Sequence, residues 1–255
     1  MPKFFVTSDI HSFYEPLKKA LDEKGFDPNN EDHWLIVCGD CFDRGPDSFK
    51  VLHFLMSLER KVLVKGNHDI LLKDLCERGF PYSNDKHNGT FNTVVQFGVF
   101  DGYNFADACE TTYNKLARYR ELLVNYFETQ NYIFVHSWIP THKVDVPNHA
   151  DKWIPLTKDE WMEDWRNAND VEWEDAMWGN PFKLAEQDLN KTRKTIIFGH
   201  WHCSAGHKIL GNCSDEFEYA IWEPCYFKNT IGIDRCTAYT EEVNVLVLED
   251  DFLDS

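Results

Sequence analysis

No run of 18 apolar residues occurs in the 255-residue sequence, so neither a membrane-spanning helix nor a membrane partner is expected. A signal-peptide pattern is missing as well, since Met1-Pro2-Lys3 leads straight into a strand-like segment. Basic residues are scarce: 26 Lys and Arg stand against 43 Asp and Glu, a formal net charge of −17. Such a surface has no general attraction for a nucleic-acid backbone, so no nucleic-acid partner is expected. Bound divalent cations would reverse that sign locally, and a phosphate-bearing substrate stays open. Eight cysteines are too few for a disulfide scaffold and are read as reduced thiols in a cytoplasmic protein. Cys38 and Cys41 match C-x-x-C without a thioredoxin-type helix after them, so they are taken as buried or loop thiols. No low-complexity linker and no internal repeat divides the chain. Residues 1–255 are therefore read as a single domain, with cap or insertion segments at 79–130 and 140–180.

What is present is a core and a recurring layout. Hydrophobic residues make up 43%, with nine Trp and 19 Phe, enough to exclude global disorder. The layout is an apolar run that ends in Asp, His or Asn. Phe4-Phe5-Val6-Thr7-Ser8 leads to Asp9 and His11. Trp34-Leu35-Ile36-Val37-Cys38 leads to Gly39-Asp40-Cys41-Phe42-Asp43-Arg44-Gly45. Lys61-Val62-Leu63-Val64-Lys65 leads to Gly66-Asn67-His68-Asp69. Further on, Tyr132-Ile133-Phe134-Val135 ends in His136, and Thr195-Ile196-Ile197-Phe198 ends in Gly199-His200-Trp201-His202.

Helical patterns separate the first strands, over 12–24 (stopped by Gly25), from Pro46 onward and over 69–75. This alternation implies a parallel sheet covered by helices, with ligands at the carboxyl ends of its strands. A longer helix is expected over about 108–127. Residues 140–180 interleave Trp153, Trp161, Trp165, Trp173 and Trp178 with acids, which reads as a helical excursion packing its aromatics, or as a lid. Strand-rich segments are expected at 217–222, 229–233 and 243–249.

The residues at the strand ends have metal-ligand chemistry. Asp9 and His11 are two apart and can point the same way. Asp40, Asn67, His136, His200 and His202 follow separate runs, giving seven N/O donors. That exceeds the need of one ion, whereas two ions sharing Asp40 would distribute them. Imidazole with carboxylate suits Mn²⁺, with Fe or Zn as alternatives, better than calcium. Two such ions can activate a bridging water and clamp a phosphoryl oxygen. Arg44, just beyond the metal loop, can meet a phosphate as a bidentate donor. His33, His53, His87, His142, His149 and His207 lack this context.

Taken together, Asp9-Ile10-His11, Gly39-Asp40 through Asp43-Arg44-Gly45, Gly66-Asn67-His68-Asp69, Val135-His136 and Gly199-His200-Trp201-His202 resemble the five motifs of the calcineurin-like metallophosphoesterase superfamily. The Asp43-Arg44-Gly45 ending is most similar to its serine/threonine phosphoprotein phosphatase branch, which includes bacterial phosphatases and diadenosine tetraphosphatases. Trp178-Gly179-Asn180-Pro181 and Gly232-Ile233-Asp234 are weaker similarities to that branch. The resemblance implies an α/β fold, a β-sandwich of mixed sheets flanked by helices, here with a Trp- and acid-rich insertion, and a dinuclear centre at its edge. It implies that Asp9, His11 and Asp40 hold one ion and that Asp40, Asn67, His136 and His200 hold the other. His202 fits the wider superfamily as a further ligand of the first ion. Arg44 would bind the phosphate and Asn67 contact the substrate, while His68 protonates the leaving oxygen with Asp43 orienting it. Lys65 stands where the branch often carries a second phosphate-binding arginine, and Trp138 where it carries a small glycine. The implied activity is phosphomonoester hydrolysis by a metal-bridging hydroxide, on a phosphorylated protein. The alternative is hydrolysis of a small phosphate-bearing substrate, a nucleotide or dinucleoside polyphosphate.

Overall fold

The computed structural model describes residues 1–98, 104–146 and 156–253. Elements are numbered in chain order. One sheet is built on β1 (Lys3–Thr7), β2 (His33–Cys38), β3 (Lys61–Val64) and β4 (Leu123–Val124), parallel throughout, with β12 (Leu246–Glu249) antiparallel on the outer side of β1. The second has the order β10-β11-β9-β6-β5, from β5 (Phe127–Glu128), β6 (Tyr132–Phe134), β9 (Thr195–Phe198), β10 (Cys225–Phe227) and β11 (Thr230–Gly232). There β11, β9 and β6 run parallel and the two edge strands antiparallel. The single parallel sheet implied by the β-α alternation alone is thus replaced by two mixed sheets, as the resemblance implied.

The sheets lie face to face, and strand alternation divides each apolar run between two cores. Phe4, Val6, Ile36, Cys38 and Val64 of the first sheet join Phe134, Ile197 and Ile231 of the second in the layer between them. The opposite faces turn outward. Phe5, Leu35, Val37 and Leu63 pack beneath α1 (Tyr14–Glu23), α2 (Ser48–Ser57), α3 (Asn67–Arg78), α5 (Thr90–Gly98) and α6 (Phe105–Lys115). Ile133, Ile196 and Phe198 pack beneath α8 (Asp170–Met177), α9 (Pro181–Glu186) and α10 (Cys203–Ile209). Each buried side chain of this kind contributes about 1.5–3 kcal/mol of transfer free energy. The result is a helix-sheet-sheet-helix sandwich, with an apolar layer between its sheets and polar bonds between them at the strand ends.

Two expected segments differ. The helix expected over 108–127 is broken, because α6 ends at Lys115 and α7 (Ala117–Glu121) follows, before β4 and β5. Leu116 and Tyr119 are drawn into the core beside α3, and the chain bends to bury both. The 140–180 segment opens as an antiparallel hairpin, β7 (Thr141–Val146) with β8 (Leu156–Trp161), rather than as helix. Its tip, with Trp153, lies outside the described residues. Trp165 and Trp173 are buried, as an aromatic-packing segment requires. No strand forms over 217–222. Among the described residues no helix is long and apolar enough to cross a membrane, and the eight cysteines are free thiols.

Candidate metal centre

The parallel strands of both sheets point their carboxyl ends to one edge, so five apolar runs deliver their terminal residues to one place. The backbone there is unusual. Asp9, His11, Asp40, Asp43, Arg44 and His200 all have positive φ, between 48° and 76°. A left-handed conformation costs a non-glycine residue on the order of 1 kcal/mol and is kept where the surroundings enforce it. These six are more than half of such residues in the described chain, so the strain is concentrated at the edge. Two glycines make the crowding possible. A Cβ on Gly66 would meet Asp40 N at 2.6 Å, with Asp40 Oδ1 closer still. One on Gly199 would meet Ser8 Oγ at 2.5 Å, with Asp9 Oδ2 closer.

Two clusters have their potential ligand atoms within 4.8 Å of one another: His11, Asp40 and His68, and Asp40, His136 and His200. Asp40 belongs to both. Its Oδ2 is 3.5 Å from His136 Nε2, and 3.9 Å from the Nε2 of both His11 and His68. Burial by itself would raise the Asp40 carboxyl, but the imidazoles of His136, His68, His11 and His200 together hold it below the usual range. The imidazoles are oriented from behind. His11 Nδ1 donates to Phe42 O and His136 Nδ1 to Cys38 O, both at 2.9 Å, which puts a proton on Nδ1 and turns Nε2 of each ring toward Asp40. Burial lowers the His11 and His200 pKa values, the latter to about 3, keeping both rings neutral as ligands must be. His136 Nε2 is 2.7 Å from Asn67 Oδ1, the first residue of α3.

Asp9 stands beside these clusters, its Oδ2 accepting from His200 N at 2.9 Å. Burial, then the charge of Asp40, raise its pKa to about 7. Among the described residues neither Asp9 nor Asp40 is paired with Lys or Arg, although both are 98% buried. Two buried carboxylates without a Lys or Arg partner, set among imidazoles of which those of His11 and His200 are neutral, suit a bound cation, and two transition ions fit this donor set.

Next to the clusters is a braced acid. His68 Nδ1 is 2.6 Å from Asp43 Oδ2. Asp43 is fully buried, and accepts from Thr93 Oγ1 at 2.7 Å and Thr90 Oγ1 at 2.9 Å. Burial alone would lower the His68 pKa, but Asp40 and Asp43 outweigh it and raise the value to about 9. The exposed Arg44 brings Nη2 to 3.4 Å from His68 Nε2, so the two converge on one space. Thr90 and Thr93 were missed in the sequence, where only their three-residue spacing on an unremarkable helix could have signalled them. Asp69 was read as part of the Gly66-Asn67-His68-Asp69 motif but without a role. It receives Gly66 N at 2.8 Å and Tyr119 OH at 2.9 Å, and so ties down the turn before α3.

Two of the expected site residues lie outside this assembly. His202 caps α10, with Nδ1 accepting from Ala205 N at 3.2 Å and Nε2 3.7 Å from Glu216. Its ring is wedged against Phe217 and Trp222. Lys65 turns toward Glu174, 3.9 Å away, in a groove of about 800 Å³ lined also by Lys73, Arg120 and Trp173. Trp138, which stands where the branch carries a small glycine, is buried in the second sheet's outer core. Trp178, half exposed, sets its ring edge-on to His200 at 6.3 Å, and Trp201 is 36% exposed.

A two-sheet sandwich with a histidine- and carboxylate-rich edge and an adjacent braced imidazole has the donors and the acid that a metal-dependent phosphoesterase requires. The chain belongs to the calcineurin-like phosphoesterase family, whose model matches residues 2–204. Among curated relatives, a symmetrical bis(5'-nucleosyl)-tetraphosphatase of Buchnera aphidicola subsp. Acyrthosiphon pisum (strain 5A) is 44% identical over 73 residues, 28% of this chain and 26% of that protein. Its counterpart from Aeromonas salmonicida (strain A449) is 48% identical over 65 residues, 25% and 23% of the two chains. The match thus spans about a quarter of these relatives' length. Among solved structures, a serine/threonine phosphatase from Saccharomyces cerevisiae gives a TM-score of 0.50 at 12% identity, covering 100% of this chain and 81% of that one. A cold-active protein-tyrosine phosphatase of a Shewanella species gives 0.50 at 14%, covering 98% and 76%. At such identities these two establish a shared fold.

Proposed function

We propose that the chain is a dinuclear phosphomonoesterase whose main substrates are phosphorylated serine or threonine side chains of proteins. The observation that supports this reading is the braced acid, His68 on Asp43 on Thr90 and Thr93. A serine alkoxide is a poor leaving group and departs only with a proton, whereas a nucleoside diphosphate leaves as a stable anion. An acid supported through three buried hydrogen bonds is of most use to the first.

In this reading Asp9, His11 and Asp40 hold one ion, and Asp40, Asn67, His136 and His200 the other. Mn²⁺ is the first choice, with Fe or Zn suited to the same donors. Such ions, when bound, acidify a shared water and neutralise charge on the phosphoryl oxygens. Arg44 grips two of those oxygens through its guanidinium fork. Asn67 contributes its amide to the substrate side, His68 delivers the proton through Nε2, and Asp43 keeps the proton of Nδ1 in place. His202 and Lys65 are left out of the set, because one caps a helix and the other faces Glu174.

A second reading, hydrolysis of dinucleoside polyphosphates, is favoured by the names of the relatives that share 44–48% identity over 65–73 residues. The exposed Trp201 offers a base a stacking face. The test is kcat/KM with Mn²⁺ for a phosphoserine peptide, para-nitrophenyl phosphate, mononucleotides and diadenosine tetraphosphate. A phosphopeptide value at least tenfold above the nucleotides supports the first reading, and the reverse order overturns it. No turnover of any of them with Mn²⁺, Fe²⁺ or Zn²⁺ would remove both.

A further inference from the structure

The edge of the sandwich has an order that motif spacing does not reveal. In the first sheet three neighbouring strands, β1, β2 and β3, end in Asp9, Asp40 and Asn67. In the second, the neighbours β11, β9 and β6 run parallel and end toward the same edge. Two of them deliver His200 and His136. The third, β11, continues through Ile233, whose N–H still bonds Phe198 O at 2.9 Å, and then reaches Asp234. The two rows face each other. Asn67 meets His136 at 2.7 Å, so β3 lies opposite β6, and Asp40 forms a cluster with His200, so β2 lies opposite β9. By the same order β1 lies opposite β11, and Asp234 is the counterpart of Asp9.

Asp234 is a buried carboxylate, 7% exposed, and no Lys or Arg forms an ion pair with it among the described residues. Its Oδ1 accepts Cys236 N at 2.6 Å, and its second oxygen makes no hydrogen bond there. Its backbone carbonyl receives Cys203 N at 2.7 Å, which fixes the residue against the segment that carries His200. After burial, the charges that act against its ionisation are those of Asp9 and Asp40. Asp234 is in neither cluster of ligand atoms, and, unlike Asp9, whose carboxylate accepts from His200 N, it meets the segment that carries His200 only through its backbone carbonyl, so it is assigned to the outer shell.

The geometry points to Asp234 as a positioning residue of the metal centre, an outer-shell carboxylate that raises the affinity of the ion on the Asp9 side. The physical reason is that two buried carboxylates on opposing strands stabilise a cation between them, and repel each other without one. Outer-shell carboxylates of this kind change metal affinity about 10–100-fold. The inference rests on the dinuclear reading of the site.

The experiment uses the full chain stripped of metal by chelation, with Mn²⁺ binding followed by calorimetry and the stability of the apo-protein by thermal melting. Asn in place of Asp234 keeps an acceptor for Cys236 N–H and removes the charge. Asp234→Asn is expected to weaken one of two Mn²⁺ sites about 10–100-fold and leave the other within twofold. The melting temperature of the apo-protein should stay the same or rise, because Asn keeps the bond to Cys236 N–H and replaces a buried carboxyl whose ionisation burial and Asp9 oppose. Cys236→Ala, which perturbs the same turn without touching the carboxylate, should leave both sites within twofold. Unchanged binding in Asp234→Asn would overturn the inference. So would a lower apo melting temperature, or an equal loss in Cys236→Ala, since each makes the residue a structural cap. If the wild type itself binds no Mn²⁺, the dinuclear reading fails first, and the inference falls with it.

Discussion

Gly66→Ala is the sharpest probe of the shared carboxylate, because it removes no hydrogen bond and no charge. Gly66 has φ −105° and ψ 169°, a conformation open to any residue, so alanine adds bulk and no backbone strain. The new methyl would lie 2.6 Å from Asp40 N and closer to Asp40 Oδ1, whereas ordinary contact begins near 3.4 Å, so at least about 0.8 Å must be found. The neighbourhood is close-packed and cannot yield freely. Asp40 Oδ1 is held by His68 N at 3.1 Å, and Gly66 N is held by Asp69 at 2.8 Å. Displacement of a catalytic group by roughly 1 Å costs on the order of 10²-fold in rate, or about 2.7 kcal/mol at about 1.36 kcal/mol per tenfold. Overpacking adds roughly 1–3 kcal/mol to the cost of folding. The assay is kcat/KM toward para-nitrophenyl phosphate across a Mn²⁺ titration, with bound metal and melting temperature measured on the same samples. The expected result is a loss of about 10²-fold, with the half-saturating Mn²⁺ concentration raised. Activity and Mn²⁺ dependence both within threefold of wild type would refute the argument that Asp40 is critical in position and shared between two ions.

Three further outcomes are expected. His68→Asn should lower kcat/KM for a phosphoserine peptide by roughly 10²–10⁴, and much less for para-nitrophenyl phosphate, whose phenolate leaves without a proton. Equal losses on both substrates, with chemistry rate-limiting and both ions retained, would assign His68 a purely electrostatic role. The Asp9 pKa, raised to about 7 in the metal-free protein, means that below this pH binding an ion must expel a proton. Mn²⁺ affinity should therefore fall as pH drops below about 7, by at most about tenfold per unit, and level off above it; a Kd flat from pH 5.5 to 7.5 would contradict this. His202→Ala should leave two bound Mn²⁺ and their concentration dependence unchanged while costing roughly 1 kcal/mol from the lost cap of α10, read from the melting temperature. Loss of one ion would instead return His202 to the ligand set.

What the sequence by itself determined was local in origin. An apolar run long enough for one strand, closed by a glycine or a polar residue, is a complete instruction, and β1, β2, β3, β6 and β9 appear where such runs stand. The residues after them were readable as candidate ligands because a parallel strand must release its chain at its carboxyl end. The family was legible through the resemblance of those motifs to it, and its model spans residues 2–204.

Tertiary structure decided whatever depended on which surface a residue met. A uniformly apolar strand does not say that Phe5 faces helices while Phe4 faces another sheet, because the run lacks the polar alternation that would mark a solvent side. The helix expected over 108–127 had unbroken propensity, but the burial of Leu116 and Tyr119 on the first sheet's helical layer outweighed continuation. His202 repeats the two-residue spacing of Asp9 and His11, yet it is the first residue outside a helix, and an open helix N-terminus competes for its Nδ1. Thr90 and Thr93 reach Asp43 from 47 and 50 residues away, a relation with no local trace. Asp234 gains its place opposite Asp9 only when two sheets stack with their strand ends in step. Spacing along a chain can place a group at the end of a strand, but only packing decides what that group will face.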